Sequence, residues 1–204
     1  MPCCAKPDSL RRLLRGAVVL GGLMLSLGAP VHAEGIQVKS IAIGSADEGY
    51  RFDADFEITL NSKLERALEK GIVLYFVTEL NLVNFRWYWL NQRVAHSRVR
   101  EGLSYYALTR QYRLSRGGLS QNFNTIEEAL QVLGRVRDRP ILASAELAPD
   151  RDYILELRMW LDISALPKPF QVETLGTREW DLGTGVLRWG TKLPVPGLQD
   201  RAAP

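Results

Sequence analysis

Histidine and cysteine, the residues most often recruited for nucleophilic and metal chemistry, are scarce in this 204-residue chain, which holds Cys3, Cys4, His32 and His96. All but His96 fall in the first 33 residues, which read below as an export signal. A Ser–His or Cys–His pair would therefore have to use His96, and its neighbours Ala95, Ser97 and Arg98 make no nucleophile elbow. No zinc site is expected, because such sites draw on Cys and His, and no motif implies a cofactor. Carboxylates are the remaining route to an enzyme. Asp53, Asp55 and Glu57 alternate along one apolar-polar stretch, which spaces them about 6.6 Å apart on one strand face. That is close to the carboxylate separations used in glycoside hydrolysis. The same row, set opposite Phe52, Phe56 and Ile58, also fits the ordinary solvated face of a sheet.

Arginine and aromatic residues form the denser concentration. Arg86, Trp87, Tyr88, Trp89, Arg93, Arg98 and Arg100 crowd one stretch, and Tyr105, Tyr106, Arg110, Tyr112 and Arg113 follow. If these strands pair, guanidinium groups can lie over aromatic faces, and Trp, Tyr and Arg are the residues enriched at interface hot spots. The binding candidates are Arg86, Trp87, Trp89, Arg93, Arg98, Arg100 and Arg113. The competing reading puts Trp87 and Trp89 in the core, with the arginines coating an exposed sheet. Arg110 is in phase with Tyr106, Leu108, Tyr112 and Leu114, so it is expected on the apolar face in a structural ion pair. Arg135, Arg137 and Arg139 alternate just after a helical stretch, as an anion or partner contact or as a solvated edge.

The elements that must position these residues follow from periodicity. Arg11, Arg12 and Arg15, then an apolar Ala17–Leu27, then Val31-His32-Ala33 read as a signal peptide over residues 1–33. An uncleaved inner-membrane anchor is the alternative. Removal leaves about 170 residues, enough for one domain (34–193) and a flexible tail (194–204). It also takes four of the 26 basic residues and one of the 23 acidic ones, so the remaining chain is formally neutral. A neutral surface argues against general nucleic-acid binding, and no cysteine is left for a disulfide.

Within the domain, Ile36–Ser45 and Tyr50–Leu60 read as a hairpin. A short helix runs from Asn61 or Ser62 to Lys70, stopped by Gly71. Ile72–Trp89 is expected as one or two strands, Arg93–Arg100 as another, and Leu103–Leu114 as a third after a break at Glu101-Gly102. Leu119–Phe123 returns after a glycine turn. Asn124 or Thr125 then opens a second helix ending at Gly134. Pro140–Leu147 and Tyr153–Asp162 are strands, Pro167 and Pro169 brace the exit of the latter, and residues 178–181 and 186–193 make a last hairpin. Many strands, two short helices and no βαβ rhythm predict an antiparallel β-sandwich, immunoglobulin-like or related, with two inserted helices.

Four blocks carry a resemblance: Phe85–Trp89, Tyr105–Tyr112, Leu133–Pro140, and Leu157–Met159 through Leu166–Phe170. Together they resemble the bacterial domain-of-unknown-function family numbered 4390, over nearly the whole chain after residue 33. The resemblance implies an exported proteobacterial protein without assigned activity, of a family often encoded near a membrane-bound nitrogen-regulation-type sensor kinase. It carries over no catalytic residue. Three functions follow as expectations. The first is a non-enzymatic periplasmic interaction module whose partner is an envelope protein, the extracytoplasmic part of a sensor kinase among them. The second is a small-ligand or glycan-binding sandwich with Trp87 and Trp89 in a cleft, and the third a carboxylate-dependent hydrolase. Export is checked by mass spectrometry of protein taken from the host envelope. The expected N-terminus lies at or near Glu34, whereas a full-length chain in the membrane fraction means an anchor.

Overall fold

In the computed structural model, which describes residues 35–46, 49–84, 92–143, 147–149, 151–168, 170 and 178–194, alternation of apolar and polar side chains builds most strands. Tyr50, Phe52, Ala54, Phe56 and Ile58 are all buried along β2 (Gly49–Thr59), which pairs antiparallel with β1 (Gly35–Ala46). Asn61 caps α1 (Ser62–Glu69), its side-chain oxygen accepting from the N–H groups of Lys63 and Leu64. These would otherwise be orphan donors of the first turn. Leu64, Ala67 and Leu68 are its buried side, and Gly71 follows with a φ of 80°.

Then come β3 (Leu74–Asn84), β4 (Gln92–Tyr106), β5 (Gln111–Arg116) and β6 (Leu119–Phe123). Thr125 caps α2 (Ile126–Leu133), accepting from the Glu128 N–H. The strands β7 (Arg135–Ala143), β8 (Asp152–Leu161) and β9 (Leu187–Lys192) complete the set. Among the described residues no helix is long and apolar enough to cross a membrane. Contacts divide the chain between Ala33 and Glu34. The signal reading falls outside the described residues, as does the tail from residue 195 on.

The described strands join in one antiparallel sheet, ordered β1-β2-β7-β4-β3-β8-β9, with β5 and β6 branching from β4. It curls into a half-barrel, in place of the two facing sheets of the expected sandwich. The reason is β7. Its residues Arg135–Ile141 pair with Tyr50–Asp55 of β2, and its last two, Leu142 and Ala143, pair with His96 and Ala95 of β4. That seam makes one sheet of two halves. A single apolar cluster fills the concave side, with Leu80 and Leu82 of β3, Leu157 and Met159 of β8, and the buried residues of both helices. Each fully buried leucine there contributes about 1.5–3 kcal/mol.

Three expectations change. β4 runs unbroken through Glu101-Gly102, because Gly102 sits opposite Tyr75 and a Cβ there would lie 3.0 Å from the Tyr75 ring. The glycine admits a close ring rather than turning the chain, and the turn comes at residues 107–110, inside the expected strand. β7 begins at Arg135, earlier than expected. The last hairpin does not form: Gly183 bridges Trp160 and β9 pairs with β8, so the chain after Leu182 follows β8.

Gly134 closes α2 where its carbonyl accepts from the Phe56 N–H at 2.8 Å, and a Cβ there would penetrate the Phe56 carbonyl oxygen. Gly134→Ala is therefore expected to cost about 1–3 kcal/mol, read as a lower urea midpoint with unchanged slope.

Candidate functional site

The outer face of β4-β3-β8, turned away from the core, gathers the arginines. Because β4 is unbroken and bulged at Val94, Arg93, His96, Arg98, Arg100 and Tyr106 share this face. Glu79 on β3 lies between Arg98 on one neighbour and Arg158 on the other. Arg158 donates from Nε and Nη2 to one Glu79 oxygen, at 2.8 and 2.6 Å, and its guanidinium stacks 4.0 Å from the Trp160 ring centre. Arg98 stands 5.6 Å from the same ring and makes no ion pair among the described residues. Arg100 covers Tyr75 at 4.3 Å and pairs with Asp162 at 3.3 Å. Arg188 pairs with Glu156 at 2.7 Å. On the branch, Arg113 covers Tyr106 at 4.1 Å and donates to Asn122.

Of the binding candidates, Arg93, Arg98, Arg100 and Arg113 all lie on this side of the sheet, and the first three share one strand. Arg86, Trp87 and Trp89 lie outside the described residues. The aromatic partners of Arg98 and Arg100 are Trp160 and Tyr75, which sequence reasoning did not single out. Tyr75 lies on β3 and Trp160 one strand further on, in β8, and only the registers bring them near.

The acidic row has a different task. Asp53 accepts the N–H of Asp138 at 2.7 Å, and Arg51 donates to the Asp138 carboxylate at 2.7 Å. The two hold a bulge in β7 at which Asp138 takes a φ of 52°. Asp55 accepts from Ser40 at 2.7 Å and pairs with Arg137, and these bonds hold its carboxyl below the usual range. Glu57 pairs with Lys39. Of the arginine run, Arg137 is thus bonded in the sheet, on a strand with neighbours on both sides and not at an edge.

Arg110 is corrected. It is exposed in the turn between β4 and β5, with a φ of 53°, and makes no ion pair among the described residues. The turn breaks the phase on which its burial was inferred. The buried charge is instead Glu101, 1% exposed on the core side of β4 and bonded to Nε and Nη2 of Arg116. Burial pushes its carboxyl up, against the pull of Arg116 and then Arg139. Its shared parity with Leu103 was the available signal, hidden by reading Glu101-Gly102 as a turn. Two further hollows, of about 420 and 430 Å³, lie beside Asn61–Lys63 and between β2 and α2.

Fold and face together define a curled antiparallel sheet protein that presents stacked guanidinium groups outward. Residues 33–190 match the family described as domain of unknown function (DUF4390), and the chain belongs to that family. No curated protein matches the chain, and no solved structure does.

Arg116→Met strands the Glu101 carboxylate. A broken buried pair costs about 3–5 kcal/mol, and the partly open Arg116 places the expected loss at the lower end. Arg110→Met, on the exposed turn, should stay within about 0.5 kcal/mol by the same urea measurement. The pH dependence has a defined sign. With the Glu101 carboxyl raised, the folded chain keeps a proton that the unfolded chain has released. Stability from this group therefore rises as pH falls from the folded toward the unfolded value, and Glu101→Gln removes that rise. Asp55 acts oppositely, stabilising above the ordinary carboxylate range and losing that contribution on acidification.

Proposed function

We propose that the protein is a non-enzymatic, exported interaction module of the bacterial envelope, using the outer face of β4-β3-β8 to hold an acidic segment of another envelope protein. The observation that carries this reading is the state of Arg93 and Arg98. Both are exposed and make no ion pair among the described residues, whereas Arg100, Arg158 and Arg188 beside them are paired. Arg98 is further braced against Trp160, so its fork is held with less entropy to lose on binding. Rigid aromatics give contact area, and guanidinium forks select carboxylates.

The bonded state of Asp53, Asp55 and Glu57 favours this over a hydrolase, since a general acid needs a raised carboxyl in a cleft. The extracytoplasmic part of the sensor kinase suggested by the family's gene neighbourhood is the first candidate partner. The test is Arg93→Glu with Arg98→Glu in one chain. Co-purification with the partner should be lost, while thermal stability falls by no more than about 1 kcal/mol from the Trp160 stack. Retained binding by that folded double variant removes this face from the reading.

A further inference from the structure

An open sheet edge exposes unpaired N–H and C=O groups, and proteins guard such edges with charges, proline or bulges. Among the described strands β1, β9 and β6 end the sheet. β1 carries Lys39 and a bulge between Val38 and Ser40, and β9 carries Arg188 and Lys192. β6, Leu-Ser-Gln-Asn-Phe, has no charge, no proline and no break in its register with β5. Among the described residues no main-chain bond joins its free edge to another segment. Leu119 at its start is 80% exposed. Beside this edge opens a hollow of about 220 Å³, lined by Leu119 and Gln121 of β6, Leu114 and Arg116 of β5, and Val132 of α2, with Glu101 also in its wall.

The hollow has a charge preference. Of the ion pair in its wall, Glu101 is 1% exposed and the Arg116 side chain 35%, so the guanidinium is the group that reaches the opening. Its polar side therefore presents a guanidinium to an incoming segment, while Leu114, Leu119 and Val132 make the rest apolar.

We infer that β6 is a strand-addition edge that takes an extended segment of a partner protein. An aliphatic side chain of that segment enters the hollow, and a carboxylate two residues away faces Arg116. The spacing follows from the strand, in which side chains on one face recur about every 6.6 Å. Main-chain bonds to β6 supply affinity and the hollow supplies selection, as in strand-addition recognition generally. A second copy of β6 cannot be that segment, because it carries no acid. The site is separate from the arginine face and goes beyond the function proposed for it.

The probe is the peptide acetyl-Thr-Val-Leu-Thr-Asp-Val-Thr-amide, titrated by fluorescence anisotropy with hydrogen exchange read at residues 119–123 on the full protein. Micromolar binding is expected, together with slowed exchange in β6. Replacing the peptide Asp by Lys should weaken binding at least tenfold. Methylating alternate peptide nitrogens should abolish binding in one phase and spare it in the other. Leu119→Glu should weaken it at least tenfold with an unchanged urea midpoint. The assignment is overturned by no binding at millimolar peptide, by equal binding of the Lys analogue, by insensitivity to methylation in both phases, by retained binding in Leu119→Glu, or by binding that leaves β6 exchange unaltered. Peptide-independent self-association that slows β6 exchange would assign the edge to a second copy and equally overturn it.

Discussion

The structure depends on a short seam. Among the described residues β7 holds the β1-β2 hairpin through five register positions and reaches β4 through Leu142 and Ala143. Without those contacts the sheet would separate into a three-stranded piece and a larger one, each with a new exposed edge. The bulge at Asp138 lets one strand serve both, because an extra residue bends and twists the strand that carries it. A left-handed conformation at a non-glycine residue has an energetic cost. Here Asp53 and Arg51 offset it by satisfying the Asp138 N–H and carboxylate.

Local order was legible from composition and period. β2, both helices and β8 are found where alternation and capping residues put them, because each signal lies within about ten residues of the groups it organises. What could not be read was which strand lies beside which. Gly102 has the composition of a turn, yet its place opposite Tyr75 makes it a mid-strand glycine under an aromatic ring. Arg110 kept the right parity for burial until a turn that parity cannot register moved it into solvent. The chain after Leu182 alternates well enough to pair with itself, but β8 offers a long apolar neighbour and takes it.

The candidate site divides along the same line. The density of arginine on β4 was visible in the sequence, and the face those residues share follows from strand period plus one bulge. Their partners were not visible. Trp160, Tyr75 and Glu79 lie on other strands, and which guanidinium each receives is set by registers of β3 with β4 and β8. Glu79 shows the point, standing between Arg98 and Arg158 in register and bonding only the second. A residue count marks such a surface as cationic, whereas geometry shows which charges are already neutralised.

The seam also has a history in time. β3 with β4, β5 and β6 are successive hairpins, and β1 with β2 is another, so each can close quickly over short loops. β2 meets β7 only across roughly eighty intervening residues, the kind of contact that slows folding. On a ribosome the first hairpin emerges long before its partner strand exists. During that interval the inner edge of β2 is bare, with Phe52 and Phe56 uncovered on one face. Asp53, Asp55 and Glu57 line the other face, and their mutual repulsion works against pairing with a second emerging chain until Arg137 and Asp138 arrive.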